Sequence, residues 1–233
     1  MYDEPLDEYG YDGRREIPSG LIRHACGSLR RRVILFLGEL QSMKLLEDKI
    51  LAEGRIGAGD VLKVDCFLNH RIDVAFLSEL GKEFYRLYKD EGINKILTIE
   101  ASGIGIACLT ALHFDCPVVF AKKTKTNNIY ADVYTAEVYS YTHQRSYDIV
   151  VSKDFLSPGD RVLVIDDFLA KGSALNALLK LIRDAGATPV GAGIVIEKAF
   201  QDGGRQLRES GFRVESLARI GAMSQKDGIQ FVD

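Results

Sequence analysis

The sequence predicts an α/β fold built on a mainly parallel sheet. Apolar stretches of strand type alternate with segments of helical periodicity along most of the chain, which favours right-handed strand–helix–strand units. Two buried-type strands end in loops of polar and small residues: Val162–Ile165 precedes two aspartates, and Lys95–Ile99 precedes Glu100. Because ligands bind at the carboxyl ends of strands in such sheets, we expect the functional site at these two loops.

The composition suits one globular domain of this class. The chain has 233 residues, of which 46% are hydrophobic and 27% charged, enough for a full core. A formal net charge of −3 gives no general reason to expect binding to nucleic acid or to an anionic membrane. The four cysteines and four histidines lack the spacing of a zinc site or a disulfide framework, and the apolar run at residues 33–37 is too short to span a membrane. We therefore expect a cytoplasmic protein.

Residues 1–42 differ in character from the rest of the chain. Acidic residues interleaved with tyrosines are followed by six arginines between Arg14 and Arg32, and no helical or strand period persists. This composition is typical of a disordered or weakly helical extension; an artefact of the assigned start and an interaction arm are the other interpretations. We place the domain at residues 43–233.

In the first part of the domain, the sequence pattern predicts two helices with a short strand between them. Ser42 is a candidate N-cap for a helix that ends at Glu53, and residues 61–64 resemble a strand. Residues 66–70 follow as an exposed polar loop. Asp73 then caps a second helix, whose apolar stripe comprises Val74, Leu77, Phe84 and Leu87.

The rest of the domain continues the alternation. A small-residue helix should run from the Glu100 loop to about His113, and a hairpin with a basic loop should follow the strand at residues 117–121. Beyond Val162–Ile165 we expect a helix ending near Gly186. Core strands are predicted at residues 190–196 and 213–220, with a short helix between them.

The stretch from Val162 to Leu175 combines an acid pair with a phosphate-type loop. Asp166 and Asp167 can accept hydrogen bonds from vicinal hydroxyls, with a divalent cation nearby. The small-residue loop at Ala170–Ala174 leads into a helix, so its backbone N–H groups and the helix dipole can approach a phosphate. A ribose-phosphate site is one interpretation, and a capped helix after an ordinary turn is the other.

This stretch resembles the 5-phosphoribosyl 1-diphosphate (PRPP) signature of the type I phosphoribosyltransferases. The resemblance implies a twisted parallel sheet flanked by helices, with a small hood and a flexible basic loop. It also implies that Asp166 and Asp167 are the catalytic pair that holds the ribose hydroxyls. Residues Ala170, Lys171, Gly172, Ser173 and Ala174 would wrap the 5′-phosphate. The form of this loop is close to that of the xanthine-specific branch of the family.

The same resemblance assigns two further segments. Glu100, Ala101, Ser102 and Gly103 would form the pyrophosphate loop. A dinucleotide fingerprint is the weaker interpretation, because Cys108 stands where its third glycine would be. Lys122 and Lys123 would belong to the hood that closes over PRPP and neutralises the departing diphosphate, although a solvated basic hairpin is the alternative.

Three residues would contact the purine. Leu62, Asn69 and Lys198 stand where xanthine-specific members of the family contact the base, and this likeness extends from residue 43 to residue 232. Taken singly, they could be a core leucine, a turn residue and a solvated strand end. Lys198 is a donor suited to an oxo group, and xanthine carries one oxo group more than hypoxanthine.

The resemblance implies a purine-salvage enzyme that converts xanthine and PRPP to xanthosine 5′-monophosphate and diphosphate. Mg²⁺ would be held mainly by PRPP, so no metal-ligating residues are assigned, and the protein would be a homodimer. One alternative is a guanine or hypoxanthine transferase, which would differ at Asn69 and Lys198. The other is a regulatory protein of the same fold that binds PRPP as an effector. Such repressors carry an amino-terminal winged helix, and residues 1–42 show no helix-turn-helix pattern.

Overall fold

The computed structural model of the protein describes residues 44–57, 59, 61–123, 132–140 and 144–233. The extension expected at residues 1–42, the N-cap at Ser42 and the basic loop after Lys123 lie outside these ranges. In the part of the chain that the structure describes, no helix has the length and apolar character needed to cross a membrane.

Helices and strands alternate as the sequence predicts. In chain order the elements are α1 (44–53), β1 (Arg55–Gly57), β2 (Val61–Lys63), a π-helical turn (Asp65–Asn69), α2 (Val74–Tyr88), β3 (Lys95–Ile99), α3 (Gly103–Phe114), β4 (Val118–Lys123), β5 (Val133–Ser140), β6 (Arg145–Ser152), β7 (Arg161–Leu169), α4 (Ser173–Asp184), β8 (Thr188–Lys198), α5 (Gly203–Glu209), β9 (Val214–Ser224) and β10 (Gly228–Phe231).

One eight-stranded sheet organises these elements, in the order β10-β9-β8-β7-β3-β4-β6-β5. The pairs from β9 to β4 are parallel, whereas β10 and the β5–β6 hairpin add antiparallel edges. A separate antiparallel pair, β1–β2, lies before the sheet in the chain. The mainly parallel sheet flanked by helices is therefore confirmed.

Strand β7 lies at the centre of the sheet and is buried on both faces. Val162 and Val164 belong to the apolar cluster that includes α4 and the β5–β6 hairpin. Leu163 and Ile165 belong to the opposite cluster, which includes α1, α2 and α3. Because both faces are covered, the strand is a continuous apolar run rather than an alternating one, which is why the sequence marks it clearly.

Three local predictions need correction. Strand β7 does not end at Ile165 but continues to Leu169, because pairing with β8 extends that far. The segment expected as an exposed loop is a π-helical turn that buries Phe67 and Leu68 completely. Val74 is 60% exposed rather than part of the apolar stripe, although Asp73 caps α2 as predicted by accepting a hydrogen bond from the Phe76 amide.

Candidate active site

The two predicted acids lie side by side near the carboxyl end of β7. Both carboxylates are buried, with Asp166 and Asp167 each only 6% exposed. The Asp167 amide donates a 3.0 Å hydrogen bond to Asp166 Oδ1, and Asn69 Nδ2 donates a 3.0 Å bond to Asp167 Oδ2. The fold thus brings Asn69, from the turn after β2, directly to the acid pair.

The surroundings of the acid pair disfavour its fully charged form. Burial raises the pKa of Asp166 well above its usual range, and the neighbouring Asp167 carboxylate raises it further. The Lys123 ammonium acts in the opposite direction but does not cancel these effects. A buried carboxylate in this state favours partners that bring hydroxyl donors or positive charge.

The phosphate-type loop borders the same site. Asp166 and all five residues of Ala170–Ala174 line a cavity of about 450 Å³. Gly172 has a φ of +81° and directly precedes α4, which begins at Ser173. The loop therefore presents its backbone at the amino end of a twelve-residue helix, where backbone N–H groups and the helix dipole favour an anion.

Gly203, which the sequence analysis does not select, supports this loop from behind. Its amide donates a 3.1 Å hydrogen bond to the Ala170 carbonyl. A Cβ at residue 203 would lie 2.4 Å from Ala170 O and 2.5 Å from the Gly172 amide nitrogen. Only glycine allows this approach, so the start of α5 fixes the shape of the phosphate-type loop.

The second predicted loop, Glu100–Gly103, lies next to the acids. It joins β3 to α3, and its Glu100–Ala101 peptide bond is cis. A Cβ at Gly103 would lie 2.1 Å from Thr98 Oγ1 and 3.0 Å from Asp166 Oδ1, so glycine is required there. The Glu100 carboxylate accepts a 2.5 Å hydrogen bond from the Lys123 amide, which links the loop to the end of β4.

The two lysines predicted in the hood take different positions. The Lys123 ammonium lies 5.6 Å from the ring centroid of Tyr147, and Tyr147 lines the 450 Å³ cavity. Lys122 lines a second, mostly apolar cavity of about 390 Å³, with its ammonium 5.9 Å from the Phe120 ring centroid. Successive strand residues point to opposite faces, so the fold brings Lys123 to the acids and directs Lys122 elsewhere.

The three predicted base contacts are not gathered in one cavity. Lys198, at the carboxyl end of β8, lines the cavity with Asp166, and burial lowers the pKa of its ammonium. Asn69 bonds to Asp167 instead. Leu62 is 6% exposed and packs in the apolar cluster of α1, α2 and α3. Of the three predicted base contacts, only Lys198 is among the described residues that line this cavity.

Phe168 is a site residue that the sequence analysis misses. It lines the cavity, and the Lys198 ammonium lies 6.0 Å from its ring centroid. Residues two apart on a strand share a face, so Phe168 lies on the same side of β7 as Asp166. The predicted strand ended at Ile165, and the period could therefore be applied to Phe168 only once β7 was seen to reach Leu169. Other missed lining residues are Val138, Tyr139, Tyr147, Leu169, Leu175 and Gln201.

The position of Lys198 is set by its buried neighbour Glu197. Arg208 donates two hydrogen bonds to the Glu197 carboxylate, at 2.8 and 2.6 Å, and Ser216 Oγ donates a third at 2.5 Å. Burial alone would raise the pKa of Glu197, but the bonds from Arg208 and Ser216 outweigh burial and lower it. This cluster attaches the end of β8 to α5 and β9.

Buried acids, a loop shaped for an anion and a second glycine-dependent loop lie at the same edge of the parallel sheet. This arrangement is typical of α/β proteins that bind phosphorylated ligands. Comparison with known proteins agrees with this class. A family model described as the phosphoribosyl transferase domain matches residues 73–210. The chain belongs to the phosphoribosyltransferase family.

Curated relatives match most of the domain. The chain is 54% identical over 186 residues to a xanthine phosphoribosyltransferase of Lachnoclostridium phytofermentans, covering 80% of this chain and 96% of the relative. It is 51% identical over 190 residues to a xanthine phosphoribosyltransferase of Bacillus cereus, covering 82% and 96%. Among solved structures, adenine phosphoribosyltransferase of Trypanosoma brucei superposes with a TM-score of 0.64 at 20% identity, covering 78% of this chain and 83% of that one. The structural likeness supports the fold alone.

Proposed function

We propose that this protein transfers the 5-phosphoribosyl group of PRPP to xanthine, releasing xanthosine 5′-monophosphate and diphosphate. The observation that carries the proposal is the single cavity lined by Asp166, the Ala170–Ala174 loop and Lys198. These groups suit, in order, a sugar, its phosphate and an oxo-substituted base. The names of the 51–54% identical relatives support the same substrate.

The sugar end of PRPP would bind at the carboxyl end of the central strand β7. The amides of residues 170–174 and the start of α4 bind the 5′-phosphate. Asp166 and Asp167 accept hydrogen bonds from the ribose hydroxyls, and their negative charge becomes favourable as positive charge develops on the sugar ring. Asn69 keeps Asp167 oriented through its 3.0 Å hydrogen bond. No side chain needs to act as a nucleophile.

The diphosphate would leave past the Glu100–Gly103 loop. Gly103 lets the loop backbone approach Asp166, and Lys123 provides a cation beside the same edge. No group of three or more His, Cys, Asp or Glu side chains suited to a metal occurs among the described residues. In this proposal PRPP would hold most of the coordination of Mg²⁺, Asp166 and Asp167 would be the nearby carboxylates, and the ion would neutralise diphosphate charge.

The base would lie between Phe168 and Lys198. The half-buried Phe168 ring offers an apolar face for a flat purine, and Lys198 can donate to an oxo group. Placed against the 2-oxo group, which hypoxanthine lacks, Lys198 would be left without its partner when hypoxanthine binds. A buried donor without a partner is costly, so xanthine should be preferred over hypoxanthine. Direct base contacts from Leu62 and Asn69 remain predictions, as do the homodimer and the cytoplasmic location expected from the family resemblance.

Product analysis tests this function. The full chain, incubated with Mg²⁺, PRPP and xanthine, should form xanthosine 5′-monophosphate and diphosphate in equal amounts. Asp166→Asn combined with Asp167→Asn should abolish product formation. A wild-type protein that binds PRPP but converts no purine would overturn the enzyme proposal and support the PRPP-responsive regulator.

A further inference from the structure

Tyr147, on the hairpin strand β6, lies at the junction of the hood and the sugar site. Its side chain lines the cavity that contains Asp166 and Ser173. Tyr147 is partly buried and packs against the apolar cluster of α4 and the hairpin. Burial raises the pKa of Tyr147, and the nearby Asp166 carboxylate raises it further.

The sheet register explains why Tyr147 meets Lys123. Lys123 of β4 pairs with Ile149 of β6 in an antiparallel ladder. Tyr147 is two residues from Ile149, so it lies on the same face of the sheet as Lys123. The Lys123 ammonium accordingly lies 5.6 Å from the ring centroid, within the range of a cation–π interaction.

Lys123 is therefore held both at its backbone and at the end of its side chain. Its backbone amide donates to Glu100 of the neighbouring loop at 2.5 Å, and its ammonium rests on the Tyr147 ring. A lysine side chain loses considerable rotamer freedom when it is ordered. An aromatic ring that orders the ammonium before the ligand arrives reduces the entropy that this side chain loses on ligand binding.

We propose that Tyr147 is a positioning residue for the transfer reaction, which holds the Lys123 ammonium beside the acid pair so that it meets the diphosphate of PRPP. The inference rests on the proposed function for the identity of the ligand. The ring face provides the effect, so the phenolic hydroxyl is dispensable. Tyr147 acts through Lys123 and need not touch PRPP.

The same hairpin offers a matched control. The Lys153 ammonium also lies 5.6 Å from a tyrosine ring centroid, that of Tyr134 on β5. Both tyrosines are partly buried against the same apolar cluster. Tyr134 does not line the 450 Å³ cavity, so Tyr134→Leu removes an equivalent ring and cation–π contact without touching the site.

The test compares PRPP binding by the full chain, measured by calorimetry with Mg²⁺, among Tyr147→Leu, Tyr147→Phe, Tyr134→Leu and Lys123→Met. Tyr147→Leu should raise the Kd for PRPP about threefold to fivefold, the value of one exposed cation–π contact. Tyr147→Phe and Tyr134→Leu should bind as the wild type does. Tyr147→Leu added to Lys123→Met should cause no further loss. Tyr147→Met is a second ring-free variant if Tyr147→Leu does not fold.

Three results would overturn the inference. They are wild-type affinity in both ring-free variants, a loss in Tyr147→Phe equal to that in Tyr147→Leu, and additive effects of Tyr147→Leu and Lys123→Met. Steady-state kinetics separates this question from the proposed function. A wild-type protein that does not convert xanthine contradicts the function, whereas normal conversion with an unchanged KM for PRPP in Tyr147→Leu contradicts only the role of Tyr147.

Discussion

The buried Asp166 carboxylate lowers the free energy of unfolding of the protein, although the residue is proposed to bind the sugar. Its carboxylate is 6% exposed, adjoins Asp167 and has a raised pKa. A carboxyl group whose folded pKa exceeds its unfolded value destabilises the fold above the folded pKa, and the penalty fades as the pH falls towards the unfolded value. Binding of hydroxyls and cations would relieve this penalty.

Asp166→Asn should therefore stabilise the free protein while abolishing transfer. We expect the Tm at pH 8 to rise by about 2–4 °C, the shift that ~1 kcal/mol gives in a domain of this size. The rise should shrink as the pH is lowered towards the ordinary pKa of an aspartate. Asp90→Asn, at an exposed position, is the control. A Tm that drops by the same amount at every pH would contradict this account of Asp166.

Lys198 is suited to base recognition because it is half-buried beside an aromatic ring. Burial lowers the pKa of its ammonium, so the group has lost part of its hydration and should gain from an oxo partner. Its depth, its neighbour Phe168 and its place in the cavity with Asp166 distinguish it from a solvated strand end.

Lys198→Ala should impair the use of xanthine far more than the binding of PRPP. We expect kcat/KM for xanthine to drop about 10- to 100-fold, which corresponds to the ~1.5–3 kcal/mol of a hydrogen bond to a charged group. The KM for PRPP should change little. Lys82→Ala, on the exposed face of α2, should match the wild type. Equal losses for both substrates would mean that Lys198 supports the fold instead.

At the scale of elements, α5 supports the site from behind. Gly203, its first residue, packs against the phosphate-type loop, and Arg208 in its last turn holds Glu197, next to Lys198. One short helix thus connects the regions proposed for the phosphate and the base. The sequence predicts a short helix here, but it does not reveal these contacts, because each joins residues brought together only by the sheet.

Arg208→Met should destabilise the protein by leaving Glu197 buried without its main partner. Arg219 stays 3.5 Å from the carboxylate, so we expect a loss of about 2–3 kcal/mol in the free energy of unfolding, below the ~3–5 of a fully isolated buried charge. Because the pKa of Glu197 is lowered, the stabilisation is present at neutral pH and disappears as the pH falls through the folded pKa.

Chemical denaturation compares this variant with Arg205→Met on the same helix. Arg205 pairs with Asp202 and Glu209 in solvent, with side chains 59–67% exposed, so its loss should leave the free energy of unfolding nearly unchanged. Similar losses of unfolding free energy in the two variants would show that the burial of Glu197 does not make its ion pair more important for stability.

For the whole molecule, burial decides what the sequence can predict. Strand β7 is apolar throughout because helices or the hairpin cover both faces, so its place and the acids after it are evident. Phe168 follows from the two-residue period of the strand only because β7 continues past the predicted end at Ile165. The place of Tyr147 in the site could not have been predicted from the sequence, and neither could the different positions of Lys122 and Lys123, because both depend on how β4 pairs with β6. The short edge strand β10 gave no signal before its pairing with β9 was known.

The division between residues 1–42 and the domain remains a prediction. The curated relatives match 80–82% of this chain while covering 96% of their own length. A form that starts at Met43 should therefore retain the base preference and the KM for PRPP of the full chain. A clear loss of turnover in the shorter form, with an unchanged Tm, would assign the extension a role in the reaction.

The most direct test of the central claim is the base preference of the full chain. Turnover with Mg²⁺ and PRPP can be followed by ultraviolet absorbance against xanthine, guanine, hypoxanthine and adenine. The account predicts the highest kcat/KM for xanthine, because among these four bases only xanthine offers Lys198 a 2-oxo partner. A higher kcat/KM for guanine, hypoxanthine or adenine would contradict it and would assign the protein to another purine transferase of the same family.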